Sequence, residues 1–233
     1  MRHRYNPGFI GPLSLEQLSN KWKVKCGKRL IKTGRKMLGS GVFSHVYEGR
    51  SGQVIKIGPT DDCWLAFAQF CMNYRGPGRK HLPKIYKLRI YPQIGLFVAH
   101  VERLGASMRT VSKDWCILMF DQPRDYLESG RVNPWYDGRL SRGYGDKYTR
   151  QFTRVGSPGF KLIETLIDFA DKFNMTWDLH HENAMTWGLR VIITDPFSFG
   201  KVSYEEVSSY CTALRKSRRA KTTTTQEQNH AYA

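Results

Sequence analysis

The feature that most constrains this chain is a pair of polar clusters held in a fixed order by apolar runs. Asp178-Leu179-His180-His181-Glu182-Asn183 places an Asp and an Asn five residues apart in one loop. Asp195 follows the apolar run Val191-Ile192-Ile193, twelve residues beyond Asn183. An Asp that accepts a hydroxyl proton, with an Asn and a second Asp to hold Mg²⁺, is the set that phosphoryl transfer requires. A His-His metal site at 180–181 is the weaker reading, because adjacent residues seldom converge on one ion.

A second pattern lies upstream in Leu38-Gly39-Ser40-Gly41-Val42-Phe43-Ser44-His45-Val46. A Gly-x-Gly turn between strands lets backbone N–H groups approach a triphosphate without a Cβ in the way. Phe43 can fold over phosphates at the loop tip, and Val46 offers an apolar face to a purine. Ten residues after Val46 comes Lys56, in Val54-Ile55-Lys56, a strand lysine with apolar neighbours. Taken alone, a glycine turn is common and a strand lysine usually faces water. The order is what carries weight: glycine loop, strand lysine, Asp-x₄-Asn loop, metal Asp.

The pattern around these residues is strand, strand, helix, strand, strand. Two β-rich runs flank the turn at Arg50-Ser51-Gly52 and predict a hairpin. Residues 61–74 predict a helix, with Asp61 and Asp62 at its positive end and Trp64, Phe67, Ala68 and Cys71 on one apolar face. Residues 84–91 and 95–101 predict two further strands. Residues 105–156 show little periodicity and are read as helix plus long loops. Ser157-Pro158 supplies an N-cap and a first-turn proline. Leu162, Ile163, Leu166, Ile167, Ala170 and Phe173 then follow at helical spacing.

Charge matters at the two ends. The formal net charge is +17. Residues 1–36 hold ten Lys or Arg against Glu16 alone, and 215–221 form a second basic run. Such termini predict weak, general nucleic-acid affinity rather than specific recognition. Leu13–Leu18 predicts a short helix capped by Ser14. The tail beyond 214 reads as disordered. No apolar run is long enough for a membrane span, and no apolar segment follows the N-terminal charges as in a signal peptide. The five cysteines form no CxxC pair, which favours reduced thiols.

KMLGSGVFSHVY followed by VIKIG, and WDLHHENAM followed by IITDPFSF, resemble the corresponding segments of the serine/threonine protein kinases of T7-like bacteriophages. The resemblance covers roughly residues 36–200. It implies an α+β, two-lobed protein-kinase-like fold, with an antiparallel-sheet N-lobe and a reduced, mostly helical C-lobe. The divisions would be a basic extension over 1–35, an N-lobe over 36–104, a C-lobe over 105–214 and a basic tail over 215–233. The implied activity is ATP- and Mg²⁺-dependent phosphorylation of Ser or Thr on host bacterial proteins. RNA polymerase or ribonucleases are the suspected targets, and the host cytoplasm the implied location.

Carried over by position, Lys56 pairs with ATP phosphates and Asp178 deprotonates the acceptor hydroxyl. Asn183 and Asp195 bind Mg²⁺. Leu38, Gly39, Gly41, Phe43 and Val46 shape the nucleotide site, and Glu102 falls at the hinge that meets adenine. Ser198, three residues past Asp195, is a candidate self-phosphorylation site. The chain also departs from the general kinase pattern. Ser44 replaces the third glycine, Pro196-Phe197 follows the metal Asp, and Thr176-Trp177 precedes Asp178. No Glu in 61–74 is available for Lys56, leaving Asp61, Asp62 or Gln69. Two alternatives compete: an aminoglycoside-type small-molecule phosphotransferase, which shares the Asp-Leu-His-x-x-Asn loop, and a non-catalytic kinase-like inhibitor of a host polymerase or nuclease.

Overall fold

The structure, a computed structural model, describes residues 14–41, 43–60, 63–105, 152, 156–179, 183–188, 190–198, 200, 203 and 205–213. The expectations for most of 105–156, and for the tail beyond 214, lie outside these residues. So do Asp61 and Asp62.

The centre is a five-stranded sheet of β1 (Met37–Ser40), β2 (His45–Glu48), β3 (Gln53–Pro59), β4 (Ile85–Tyr91) and β5 (Leu96–Glu102). The spatial order is β1-β2-β3-β5-β4, and every pair is antiparallel. The connection from β3 to β4 carries α2 (Cys63–Asn73), and the order departs from the expected strand, strand, helix, strand, strand in β1, where the run into the glycine turn pairs with β2 as an additional strand. The sheet and its helices make an α+β arrangement.

Period-two alternation assigns the two faces of the sheet. Tyr47, Ile55, Ile57 and Leu96 are buried on one face against Trp22, Cys26 and Leu30. Those three lie on α1 (Leu15–Lys32), which begins with a full capping box between Ser14 and Gln17. The short helix expected at the N-terminus is therefore 18 residues long. Its apolar residues recur three and four apart between lysines, so the stripe was masked by charge.

Phe97, Ala99 and Val101 face the other way, into the larger core with α2. Helix α2 is buried from Cys63 through Cys71, Gln69 included, rather than on one face. It lies between the sheet and a second layer, so each of its sides meets protein.

That layer contains α3 (Pro158–Lys172), capped by Ser157 with Pro158 in its first turn as expected. Four short strands in two pairs and a last helix follow. The pair β6 (Thr176–Trp177) and β9 (Phe197–Ser198) is antiparallel, and β7 (Ala184–Trp187) and β8 (Arg190–Ile193) form a hairpin. Helix α4 spans 205–213 and adds Val207 and Cys211 to the same core. Gly78 joins the layers. Its φ of 77° is left-handed, and a Cβ there would meet the Pro158 carbonyl and Leu162 at the start of α3.

Candidate active site

The sheet register builds the upper wall. Gly39 pairs with Val46, Val46 with Lys56, and Lys56 with Ala99. Directly paired residues project to the same face, so these four form one row across β1, β2, β3 and β5. That face is turned towards α2 and the second layer. Lys56 thus points inward through strand alternation, with Ile55 and Ile57 taking the α1 side.

Its ammonium reaches Asp195. Lys56 Nζ lies 3.0 Å from Asp195 Oδ2, bridging residues 139 positions apart. The side chains are 12% and 32% exposed, so the pair is shielded but open on the carboxylate side. Lys56 Nζ also sits 4.3 Å from the centre of the Trp64 ring, a distance at which the ring's quadrupole attracts a cation. Trp64 Nε1–H donates to the carbonyl of Thr194 at 3.1 Å, and its ring stacks on Phe97 with centroids 5.1 Å apart. Trp64 therefore holds the lysine with its face and the residue before Asp195 with its edge.

Nothing in the sequence marks Trp64 as a partner of Lys56, because a lysine ordinarily pairs with a carboxylate and an indole on an apolar helix face reads as core. Gln69 keeps a buried Nε2 with no hydrogen-bond partner among the described residues. The missing Glu was the signal that Lys56 is positioned by other means.

The lower wall interlocks through backbone bonds. Asp178 N–H donates to Pro196 O at 2.8 Å, and Thr194 and Asp195 N–H both donate to Asn183 O, at 2.8 and 3.4 Å. Asn183 Nδ2 donates to Asp178 O at 2.7 Å and reaches Asp178 Oδ2 at 3.5 Å. Asp178, Asn183 and Asp195 are thereby drawn to one place by β6, β7, β8 and β9, while Leu179 anchors the loop in the core. His180, His181 and Glu182 lie outside the described residues.

The donor set suits Mg²⁺. With Nδ2 committed to Asp178, the amide oxygen of Asn183 and Asp195 Oδ1 are left by the described residues for a cation. These are hard oxygen ligands, and Mg²⁺ normally takes one or two from protein and the rest from phosphates and water.

At the glycine turn, Gly41 N–H donates to Ser44 O at 2.9 Å. A Cβ at Gly39 would meet no atom of the described residues within 4 Å, so their packing does not require glycine there. Leu38 and Phe43 are exposed, and Val46 is half-buried. Lys23, nearly buried on α1, donates to Phe43 O at 3.2 Å. This tie between the N-terminal helix and the glycine loop was not anticipated, because nothing in the sequence links the two segments.

Glu102 ends β5, but its N–H donates to Lys84 O and its carboxylate accepts from Lys84 N–H. Its N–H thus serves the sheet rather than a ligand. Ser198 is half-buried in β9, paired with Thr176.

No known family model matches the chain, and no curated protein matches it. Among solved structures, a thermostable mutant of aminoglycoside phosphotransferase APH(4)-Ia in its apo form is 14% identical. That match covers 74% of this chain and 71% of the other, at a TM-score of 0.31. A ternary complex of a thermostable mutant of the same enzyme with AMP-PNP and hygromycin B is 16% identical over 76% and 72%, at 0.34. Another ternary complex, with ADP and hygromycin B, is 14% identical over 75% and 72%, at 0.32.

Proposed function

We propose that this chain transfers the γ-phosphoryl group of Mg²⁺–ATP to a protein Ser or Thr hydroxyl. The resemblance to T7-like phage kinases points to host bacterial proteins of transcription or RNA processing as its substrates, met in the host cytoplasm. One observation carries the reading: the 3.0 Å contact between Lys56 and Asp195. Such a contact joins the sheet that would hold nucleotide phosphates to the loop that would hold the metal.

In this reading Lys56 neutralises phosphate oxygens. Asp178, fixed by Pro196 O and Asn183, orients the acceptor hydroxyl and takes its proton. Asn183 and Asp195 would hold Mg²⁺, which when bound would offset charge on the transferring group. Gly39 and Gly41 leave room for phosphates beneath the turn, Phe43 covers them, and Leu38 and Val46 face the base. None of the described helices is long and apolar enough to cross a membrane.

Labelled ATP, Mg²⁺ and bacterial lysate test the proposal. Labelled protein bands are expected, reduced about 10²- to 10⁴-fold in Asp178→Asn. Label confined to a small molecule would favour the aminoglycoside-type alternative, against which the net charge of +17 argues because those substrates are cations. No label, with tight polymerase binding, would leave the non-catalytic alternative.

A further inference from the structure

A cavity of about 650 Å³ lies away from the Lys56–Asp195 pair, between the end of α2, the turn at Arg79–His81, the start of β4 and the β7–β8 hairpin. Its volume falls within the roughly 300–1,000 Å³ typical of small-ligand sites. Arg75, Arg79, Lys80, Lys84 and Arg190 line it, against the single carboxylate of Glu102. Arg79, Lys80, Lys84 and Arg190 have no carboxylate at ion-pair distance among the described residues. Their field reaches inward. Lys80 and Arg190 both help lower the pKa of His81 beneath this wall, although burial is the larger cause.

The cavity is not only charged. Leu82, Ile85 and Ile192 supply apolar surface. Trp187 stands at the hairpin end 45% exposed, and Met72 is 38% exposed. An exposed indole beside a cationic rim is costly to leave in water, and it is the combination that binds stacked bases and their phosphates together. An acidic peptide would use the cations but leave the ring idle.

We propose that this cavity binds a single-stranded polynucleotide, with one base on Trp187 and adjoining phosphates on Lys80, Lys84 and Arg190. None of the residues lining it belongs to the basic runs at the termini, and the site does not depend on the phosphotransferase reading.

The test is fluorescence anisotropy of the full chain with a fluorescein-labelled single-stranded oligouridylate, titrated at several salt concentrations. Trp187→Ala is expected to weaken binding about tenfold and leave the salt dependence intact. Lys80→Glu with Arg190→Glu is expected to weaken it at least as much and to flatten the salt dependence, because fewer counterions are released. Trp187→Phe keeps a stacking ring and should recover most of the affinity. Thermal melting checks that each variant folds. Binding by Trp187→Ala equal to wild type would overturn the proposal and leave the termini as the source of affinity. So would equal losses in Trp187→Phe and Trp187→Ala. Displacement of the oligonucleotide by polyglutamate at matched charge, with no effect of Trp187→Ala, would assign the cavity to acidic protein instead.

Discussion

At the scale of single residues, Trp64 does two jobs that a carboxylate cannot combine. A Glu would pair with the ammonium but would itself be a buried charge competing with Asp195 for it. The indole attracts Lys56 through its face without adding charge, and its N–H fixes Thr194. A cation–π contact is worth roughly 0.5–2 kcal/mol and a neutral hydrogen bond about 1 kcal/mol. Trp64→Leu should therefore cost roughly ten- to a hundredfold in kcat/KM for ATP-dependent labelling. Trp64→Phe, which keeps a ring but loses the donor, should fall between. Steady-state kinetics at varied ATP would check this, and wild-type values in Trp64→Leu would remove the role. His81 gives a second prediction. It is buried against Phe152, and its Nδ1 lies 2.9 Å from Val191 O. A carbonyl only accepts, so Nδ1 carries the hydrogen. Burial lowers the pKa of this ring below its ordinary 6.5, and the Val191 bond only partly opposes it. The unfolded chain therefore binds a proton at a pH where the folded chain does not, and stability falls as pH drops through and below about 6.5. His45 and His100 are lowered in the same sense, again chiefly by burial. Melting temperature should decline from pH 7.5 to pH 5.5, and His81→Gln should flatten part of that slope. A melting temperature constant over this range would contradict the assignment.

At the scale of elements, α1 ties the sheet to the glycine turn. It covers the face opposite the cleft and reaches the glycine turn through Lys23. A hydrogen bond from a charged donor contributes about 1.5–3 kcal/mol, so the tie is strong enough to bias the position of Phe43. Lys23→Met keeps the apolar stem and removes the donor. It should raise the KM for ATP roughly tenfold with little change in kcat, since Lys23 touches the loop and not the reacting groups. An unchanged KM would mean the loop is held by its own strands. Strands β2 to β5 and β8, with α3 and its cap, were legible in the sequence because each rests on local signals: alternation in Val54–Ile57, Ser157-Pro158 before a periodic run, and an apolar Val191–Ile193; the short β1, β6, β7 and β9 were not, because they are fixed by the strands they pair with. Helix α1 was legible only at its cap, since apolar spacing among many lysines gives a weak pattern. Helix α2 was found, but its all-round burial was not, because that depends on a second layer brought in from residues beyond 157. The site divided in the same way. Lys56, Asp178, Asn183 and Asp195 were marked by residue type and order. Trp64 and Lys23 act through tertiary contacts that leave no spacing to read.

At the scale of the whole molecule, the position of the cleft depends on one aromatic cluster rather than on the sheet alone. Phe169 of α3 is fully buried. Its ring centre lies 5.0 Å from Phe70 of α2 and 5.8 Å from both Phe197 of β9 and Tyr210 of α4. Phe197 follows Asp195 by two residues, and Phe70 sits on the helix that carries Trp64. The same ring therefore sets the distance between the wall bearing Lys56 and the wall bearing Asp195. Because one core runs through both layers, they should unfold together. Phe169→Ala should cost about 3–5 kcal/mol, a large part of the roughly 5–15 kcal/mol that holds a domain folded. In urea, tryptophan fluorescence and circular dichroism should give coincident single transitions, shifted to lower midpoint in the variant. Below that midpoint, labelling activity should fall more than the folded fraction does, since the surviving molecules have lost the spacer between the two walls. Two separate transitions in the wild-type chain would show that the layers fold independently, and the Lys56–Asp195 distance would then have to be set by the ion pair itself.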